Sequence, residues 1–341
     1  MALLDHVNRL ARRSVGATEP PRPASDRLSR RALLTLGATR LVPADFDRQV
    51  EEAEAETTAR RAAAYAWPEE LKDEARKAWG QGDYRDLGRR LAPASEELVE
   101  ACGPLAGARF LDVGAGDGNL ADAAARRGAE VTASDLTPAL VEQGSRRLAE
   151  RGLETEWSVA DAEALPFEDG EFDCAASCFG ALYAPRPVRA ASELFRVVRP
   201  GGVVAMANWS SSGFMGRVLD LEARLARMPR GVPRPSRWGR LETVYLHFTN
   251  LAAHFEITDR TLRFELERPE EAWSLLSGAP GPLRAALSHL GEDERARARA
   301  ELLLLMEDHL AEGAGTTVEA DYLVVIGRRP GLAIGAAASL P

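Results

Sequence analysis

From Ala108 onward the chain alternates short apolar runs with stretches of helical period, the pattern of strands that feed crossover helices. The runs begin near Ala108, Glu130, Glu154, Phe172 and Gly202, and each of the first four is followed by a helical pattern. That alternation predicts an α/β fold with a parallel, doubly wound, Rossmann-like sheet. A helix over Ser95 to Cys102 precedes the first strand. After Trp209 the rhythm changes to an amphipathic helix, Met215 to Met228, and a Pro- and Arg-rich loop, Pro229 to Gly239. Strand patterns return at Phe255 to Leu266 and Thr317 to Gly327. Upstream, Gln49 to Ala66 reads as a helix, acidic in its first turns and basic at Arg60 and Arg61, which suits the macrodipole. These breaks divide the chain into a basic Arg/Pro-rich extension (1–48), a helical lid segment (49–94), a core (95–209), a cap (210–254), a segment completing the sheet (255–329) and a tail (330–341). The cap follows the carboxyl end of the fifth strand, where open α/β sheets bind substrates.

The first strand ends in Phe110-Leu-Asp-Val-Gly-Ala-Gly-Asp-Gly-Asn119, where three glycines two apart let the backbone turn tightly and approach a ligand before a helix at Leu120 to Arg127. The second strand, Ala129 to Asp135, and the third, Glu156 to Ala162, each bring a carboxylate to the same end. An adenosine ligand accounts for both. Asp135 can accept from two ribose hydroxyls, Asp161 from the adenine amino group, and the Ala162 N–H can donate to a ring nitrogen. The dinucleotide fingerprint is G-x-G-x-x-G with pyrophosphate at a helix N-terminus. Here the spacing is G-x-G-x-G, and Asp117 would repel a phosphate. This disfavours NAD and favours a cationic, phosphate-free nucleoside. A carboxylate at a strand end also serves as a cap, and Asp135 could cap the helix opened by Thr137-Pro138.

These residues resemble the class I S-adenosylmethionine-dependent methyltransferases, within them the branch similar to the ubiquinone and menaquinone C-methyltransferases. The resemblance runs from about Trp79 to Trp209, with a looser echo to Arg329. It rests on four ordered motifs: Leu111 to Gly118, Ser134-Asp-Leu-Thr-Pro138, Asp161 to Asp173, and Arg196-Val-Val-Arg-Pro-Gly-Gly202 leading into strand Val203 to Trp209. It implies a seven-stranded sheet whose last strand is antiparallel, with S-adenosyl-L-methionine as cofactor. It also implies cofactor contacts at Tyr84, Asp112, Gly114, Gly116, Gly118, Asp135, Leu136, Asp161, Ala162 and Ser177. Among these, Asp112 would orient the methionine ammonium and Tyr84, in Gly82-Asp-Tyr84, would lie near the methionine carboxylate.

Composition narrows the partners. The 341 residues suit one core of about 250 residues with an extension, and 45% hydrophobic content suffices for that core. A net charge of −9 argues against nucleic acid, which selects a basic face. No apolar run approaches the ~20 residues of a membrane span. Cys102, Cys174 and Cys178 fit neither a disulfide framework nor a metal site, which points to the cytoplasm. Ser29-Arg-Arg-Ala-Leu-Leu34 has the look of a twin-arginine signal, but Arg40 interrupts the apolar stretch and no cleavage site follows. The segment is expected to be a short helix or a disordered arm.

The expected acceptor is a small, partly apolar metabolite. Base-methylating relatives carry Asn/Asp-Pro-Pro-Tyr/Phe after strand four, whereas this chain has Ser177-Cys-Phe-Gly180. Phe179, Tyr183 and Trp209, with Phe214, could wall an acceptor pocket, and His247 and His254 are the histidines available as a base in the cap region. Tyr65 to Tyr84 is expected to close over the cofactor and residues 210–250 over the acceptor, excluding water. Two other classes stay open: a protein of the same fold that binds the cofactor without transferring methyl, and a macromolecular methyltransferase or nucleotide-binding module.

Overall fold

The computed structural model describes residues 68–331 except 83, 230, 314 and 315. The expected extension 1–48, the helix at Gln49 to Ala66, the aromatics Tyr65 and Trp67, and the tail from 332 lie outside the described residues. By compactness the chain divides into residues 1–71 and 72–341. Of the first unit only 68–71 are described, as the opening turn of a helix.

Helices α1 (Pro68–Trp79) and α2 (Arg85–Ala101) lead into β1 (Arg109–Val113), α3 (Asn119–Ala125), β2 (Glu130–Asp135), α4 (Pro138–Glu150) and β3 (Thr155–Val159). β4 (Phe172–Cys178) is followed by a 3-10 turn at Ala181–Tyr183, α5 (Pro187–Val197) and β5 (Val198–Trp209). Then come α6 (Phe214–Leu225), a second 3-10 turn at Pro235–Gly239, α7 (Leu241–Phe248) and β6 (His254–Leu266). Helices α8 (Glu270–Gly278), α9 (Pro282–Ser288) and α10 (Glu292–Glu307) precede β7 (Thr316–Arg328). The seven strands form one sheet in the order β3-β2-β1-β4-β5-β7-β6. β3-β2-β1-β4-β5 are parallel, and β7 runs antiparallel to both β5 and β6. This is the Rossmann-like architecture that the alternating pattern and the resemblance implied. Val203 to Trp209 is buried at every position, which is why this central strand, covered on both faces, reads as an apolar run broken only by Asn208.

Four elements differ from expectation. α2 begins at Arg85, ten residues before Ser95, and passes through the boundary drawn at 94. Pro93 sits on its exposed side while Leu87, Leu91, Leu98 and Val99 form the buried stripe, so the proline does not end it. β5 begins at Val198, and its register against β4 shifts between Phe172 and Cys174, beside the Gly201-Gly202 turn. Helices α8 to α10 were not expected; α10 opens with Glu292-Asp-Glu-Arg-Ala-Arg, and its buried stripe of Ala298, Leu302, Leu305 and Met306 is masked by the exposed Leu304 beside it.

The fourth difference lies between β3 and β4, where no helix forms. Residues 160–171 cross as an extended loop whose backbone groups are satisfied by side chains of α5. Arg196 donates to the carbonyls of Phe167 at 2.7 Å and Leu165 at 2.8 Å, and Glu193 accepts the Leu165 N–H at 2.8 Å. An irregular crossover otherwise leaves such groups unpaired.

The cap is fixed by backbone contact. A Cβ on Gly239 would overlap the carbonyl oxygen of Trp209 at the end of β5. Gly239→Ala should therefore cost about 1–3 kcal/mol, lowering the thermal midpoint by several degrees in calorimetry. An unchanged midpoint would show that the cap is not seated there.

Candidate functional site

Chain order reverses between β1 and β4: from β1 the chain winds outward to β2 and β3, then returns to β4 on the other side. The loops after these two strands diverge and open a crevice at their carboxyl ends. Its floor is a backbone-to-backbone contact. Gly114 has φ 69°, and a Cβ there would lie 2.8 Å from Cα of Gly180. The Ser177 hydroxyl staples the same point, donating to Val113 O at 2.6 Å and accepting from Ala181 N at 2.8 Å. Gly118 faces the Trp157 ring, which a Cβ would meet at 3.0 Å. Gly116, with φ 58°, has only Tyr84 within reach of a Cβ, at 3.8 Å. Two of the three glycines thus permit packing, and the middle one leaves open space.

Asp135 closes the turn from β2. Its Oδ2 accepts the Gly116 N–H at 2.9 Å and its Oδ1 the Thr137 N–H at 2.8 Å, so it ties the glycine turn to the turn that leads into α4. Burial pushes its pKa up against those two bonds and a third from the Thr137 side chain. Asp112, 1% exposed, accepts the Ala121 N–H at 3.0 Å through Oδ2, while its Oδ1 is buried without a hydrogen-bond partner. Burial, with Asp135 and Asp117 nearby, lifts its pKa to about 8 against that N–H bond. The Asp117 carboxylate packs against α2: a Cβ on Gly88 would sit 2.9 Å from its Oδ2. A half-buried Leu136 follows Asp135.

Asp161 and Ala162 follow the end of β3. Asp161 accepts the Glu163 N–H at 2.9 Å through Oδ1 and pairs with Lys72 through Oδ2 at 2.5 Å; Ala162 is half-buried beside it. Tyr84 lies over Gly116, and burial followed by Asp117, Cys178 and Asp135 holds its hydroxyl well above the ordinary range. Trp79 meets Tyr84 edge-on at 6.1 Å and Tyr183 at 5.1 Å, so one aromatic wall joins the lid segment to the loop after β4.

Phe179 adopts φ 60°, uncommon for an aromatic residue. Its ring stacks on Trp209 at 3.7 Å with 2° between planes, and Tyr322 closes edge-on at 5.5 Å. Tyr322 in turn donates to Glu97 at 2.5 Å. Phe179 and Trp209 are thus committed to each other, whereas Tyr183 remains half-buried. Phe214 is fully buried in the core.

The two histidines fare differently. His254 pairs with Arg328, opposite Val203 at the amino end of β5. Six residues separate Val203 from Trp209, so His254 stands ~20 Å from the crevice and is removed as a base. His247 lies edge-on to Trp238 at 4.5 Å, and burial followed by Arg237 lowers its pKa to about 4.

One acidic group escaped the sequence reading. Glu222 is 5% exposed on α6, and burial lifts its pKa to about 8 against a hydrogen bond from the Leu283 backbone. It acts electrostatically on Tyr183. Its signal was present: Met215, Val218, Leu219 and Glu222 share one helical face, placing a carboxylate on the apolar stripe. Among the described residues, no cluster of His, Cys, Asp and Glu could hold a metal, and no helix is long and apolar enough to cross a membrane.

The chain is similar to several known proteins. A family model described as "Methyltransferase domain" matches residues 111–206. An uncharacterized protein of Mycobacterium tuberculosis, Rv1403c, is 36% identical over 261 residues, 74% of this chain and 93% of its own. A demethylmenaquinone methyltransferase of Clavibacter sepedonicus is 40% identical over 113 residues, 33% of this chain and 46% of its own. The crystal structure of the YcgJ protein of Bacillus subtilis has a TM-score of 0.48 at 20% identity, covering 70% of this chain and 98% of that one. With its motifs and sheet order, the chain belongs to the class I S-adenosylmethionine-dependent methyltransferases. It is an enzyme whose cofactor is S-adenosyl-L-methionine.

Asp112 and Glu222 are both protonated in the folded chain at neutral pH and ionised when unfolded. Their contribution to stability is full below about pH 4 and is lost as pH rises toward about 8. Glu222→Gln should therefore stabilise the protein more at pH 8.5 than at pH 5, by about 1–3 kcal/mol. Denaturant unfolding at the two pH values measures this, and equal effects would show that Glu222 is not shifted.

Proposed function

We propose that the enzyme transfers methyl to a small, partly apolar acceptor taken up between the crevice and the cap. The observation that carries this reading is the wall of Trp79, Tyr84 and Tyr183, which leads from the open Gly116 toward the buried Glu222. An apolar enclosure with one carboxyl suits a ring or chain bearing a single hydroxyl or amine. The quinone-type acceptor named in the Clavibacter relative belongs to the same class, though that match covers a third of this chain. The net charge of −9 weighs against a polyanionic acceptor.

The residues fit the cofactor. Asp112 has a buried carboxylate oxygen lacking a partner, suited to an ammonium group, and Gly116 leaves room above its backbone. In this reading Gly114 and Gly116 hold the methionine part, with Gly118 completing the turn, and Asp135 takes the ribose hydroxyls. Leu136, Asp161 and Ala162 frame the adenine, while Ser177 keeps β1 and β4 in register beneath it. The cofactor supplies a methyl group on a sulfonium, an electrophile that needs no further activation. What remains for the chain is to align the acceptor, exclude water, and take a proton where the acceptor must lose one. Tyr84, Trp79 and Tyr183 exclude water, the stacked Phe179 and Trp209 form a rigid floor, and Glu222 receives the proton in its carboxylate form, which fills as pH rises through about 8.

Three results test this. In calorimetry S-adenosylmethionine should bind and NAD should not; the reverse would sink the assignment. Asp135→Ala should weaken S-adenosylhomocysteine binding by about 2–4 kcal/mol, because two charge-assisted bonds go. Unchanged affinity in the folded variant would leave Asp135 as a tie between the two turns alone. With labelled cofactor and a panel of phenols, quinols and small amines, label should enter an acceptor. Above about pH 8, where the carboxylate is populated, Glu222→Gln should then cut kcat by about 10² or more without changing cofactor affinity. Transfer to none of the panel, with cofactor bound, would favour a binding role.

A further inference from the structure

Lys72 is one of two lysines among 43 basic residues, and it is 2% exposed. From α1 its Nζ reaches Asp161 Oδ2 at 2.5 Å and Glu163 Oε2 at 2.8 Å. Glu163 has no exposed side-chain surface, and the same Oε2 pairs with Arg186 Nε at 2.7 Å. The Arg186 backbone N–H also donates to Glu163 Oε1. Two cations and two carboxylates therefore form a neutral buried cluster whose outermost member is Asp161. In a chain that otherwise uses arginine, the lysine has a physical reason. A compact ammonium with three donors fits between two carboxylates, which a planar guanidinium does not. Burial opposes the ammonium, but the bonds to Asp161 and Glu163 outweigh it, so its pKa rises and the charge stays.

The consequence falls on Asp161. With Lys72 on Oδ2 and the Glu163 N–H on Oδ1, the carboxyl plane is fixed and the group can only accept hydrogen bonds. Without the lysine, Glu163 keeps Arg186, but Asp161 Oδ2 loses its fixed donor and the carboxyl plane is free to turn away from the base. We propose that Lys72 is the positioning residue of the adenine subsite: clamped between Asp161 and Glu163, it keeps Asp161 an acceptor for the purine amino group and so selects adenine over a 6-oxopurine. The proposal rests on the reading that Asp161 takes the adenine edge.

The test compares binding of S-adenosylhomocysteine and S-inosylhomocysteine, which differ in an amino donor against a carbonyl acceptor, by calorimetry on the full chain. The native protein should prefer the adenosyl compound, and Lys72→Met should reduce that preference by about tenfold or more, mainly by weakening the adenosyl compound. If Lys72 merely anchors α1, both affinities fall by one factor and the preference survives, which overturns the proposal alone. Equal binding of the two compounds by the native protein would overturn the placement of adenine at Asp161, and the proposal with it. Should Lys72→Met fail to fold, the double variant Lys72→Gln with Glu163→Gln removes one charge of each sign and is read by the same ratio.

Discussion

Everything at the crevice depends on the approach of two backbones, at Gly114 and Gly180, with no side chain between them. The contact sets how far β1 and β4 can separate at their carboxyl ends, and the Ser177 hydroxyl locks it from both sides. From that fixed point the glycine turn reaches Asp135, α3 begins beneath Asp112, and the loop after β4 carries Phe179 and Tyr183 toward the lid. A larger residue at either glycine would shift both walls at once.

A second constraint is electrostatic. Asp112, Asp117 and Asp135 crowd one glycine turn, all buried; Asp135 and Asp117 raise the affinity of Asp112 for a proton, and Asp135 holds the turn through the Gly116 N–H. Such a site is uncomfortable without positive charge. A ligand with an ammonium and a sulfonium relieves that discomfort, and a pyrophosphate would deepen it. The turn thus selects by charge before any shape complementarity is considered.

The sheet and its ligand end were legible because they rest on local patterns: apolar runs, glycines at fixed spacing, and acids at strand ends. What was hidden depends on distant contacts. Lys72 reads as an ordinary helix charge until Asp161 and Glu163, some ninety positions on, are brought to it. Glu222 was visible only as a misfit on an apolar stripe, and histidine drew attention by its chemistry while lying elsewhere, as His254 does at the far end of β6. Helices α8 to α10 carry little periodicity. Even so they position the lid, since the Gly281 N–H donates to Ala78 O at 3.0 Å and Arg284 donates to Gln81 O at 3.1 Å.

The helix-free crossover after β3 bears on how the site comes into being. The glycine turn and Asp135 belong to one contiguous β1-α3-β2 unit, whose contacts close short loops and carry little entropic cost. Asp161 follows directly, but the loop that holds it borrows its hydrogen bonds from Glu193 and Arg196. The loop at Asp161 therefore owes its shape to α5, an element that follows it in the chain, whereas the glycine turn draws its hydrogen bonds from β2 beside it.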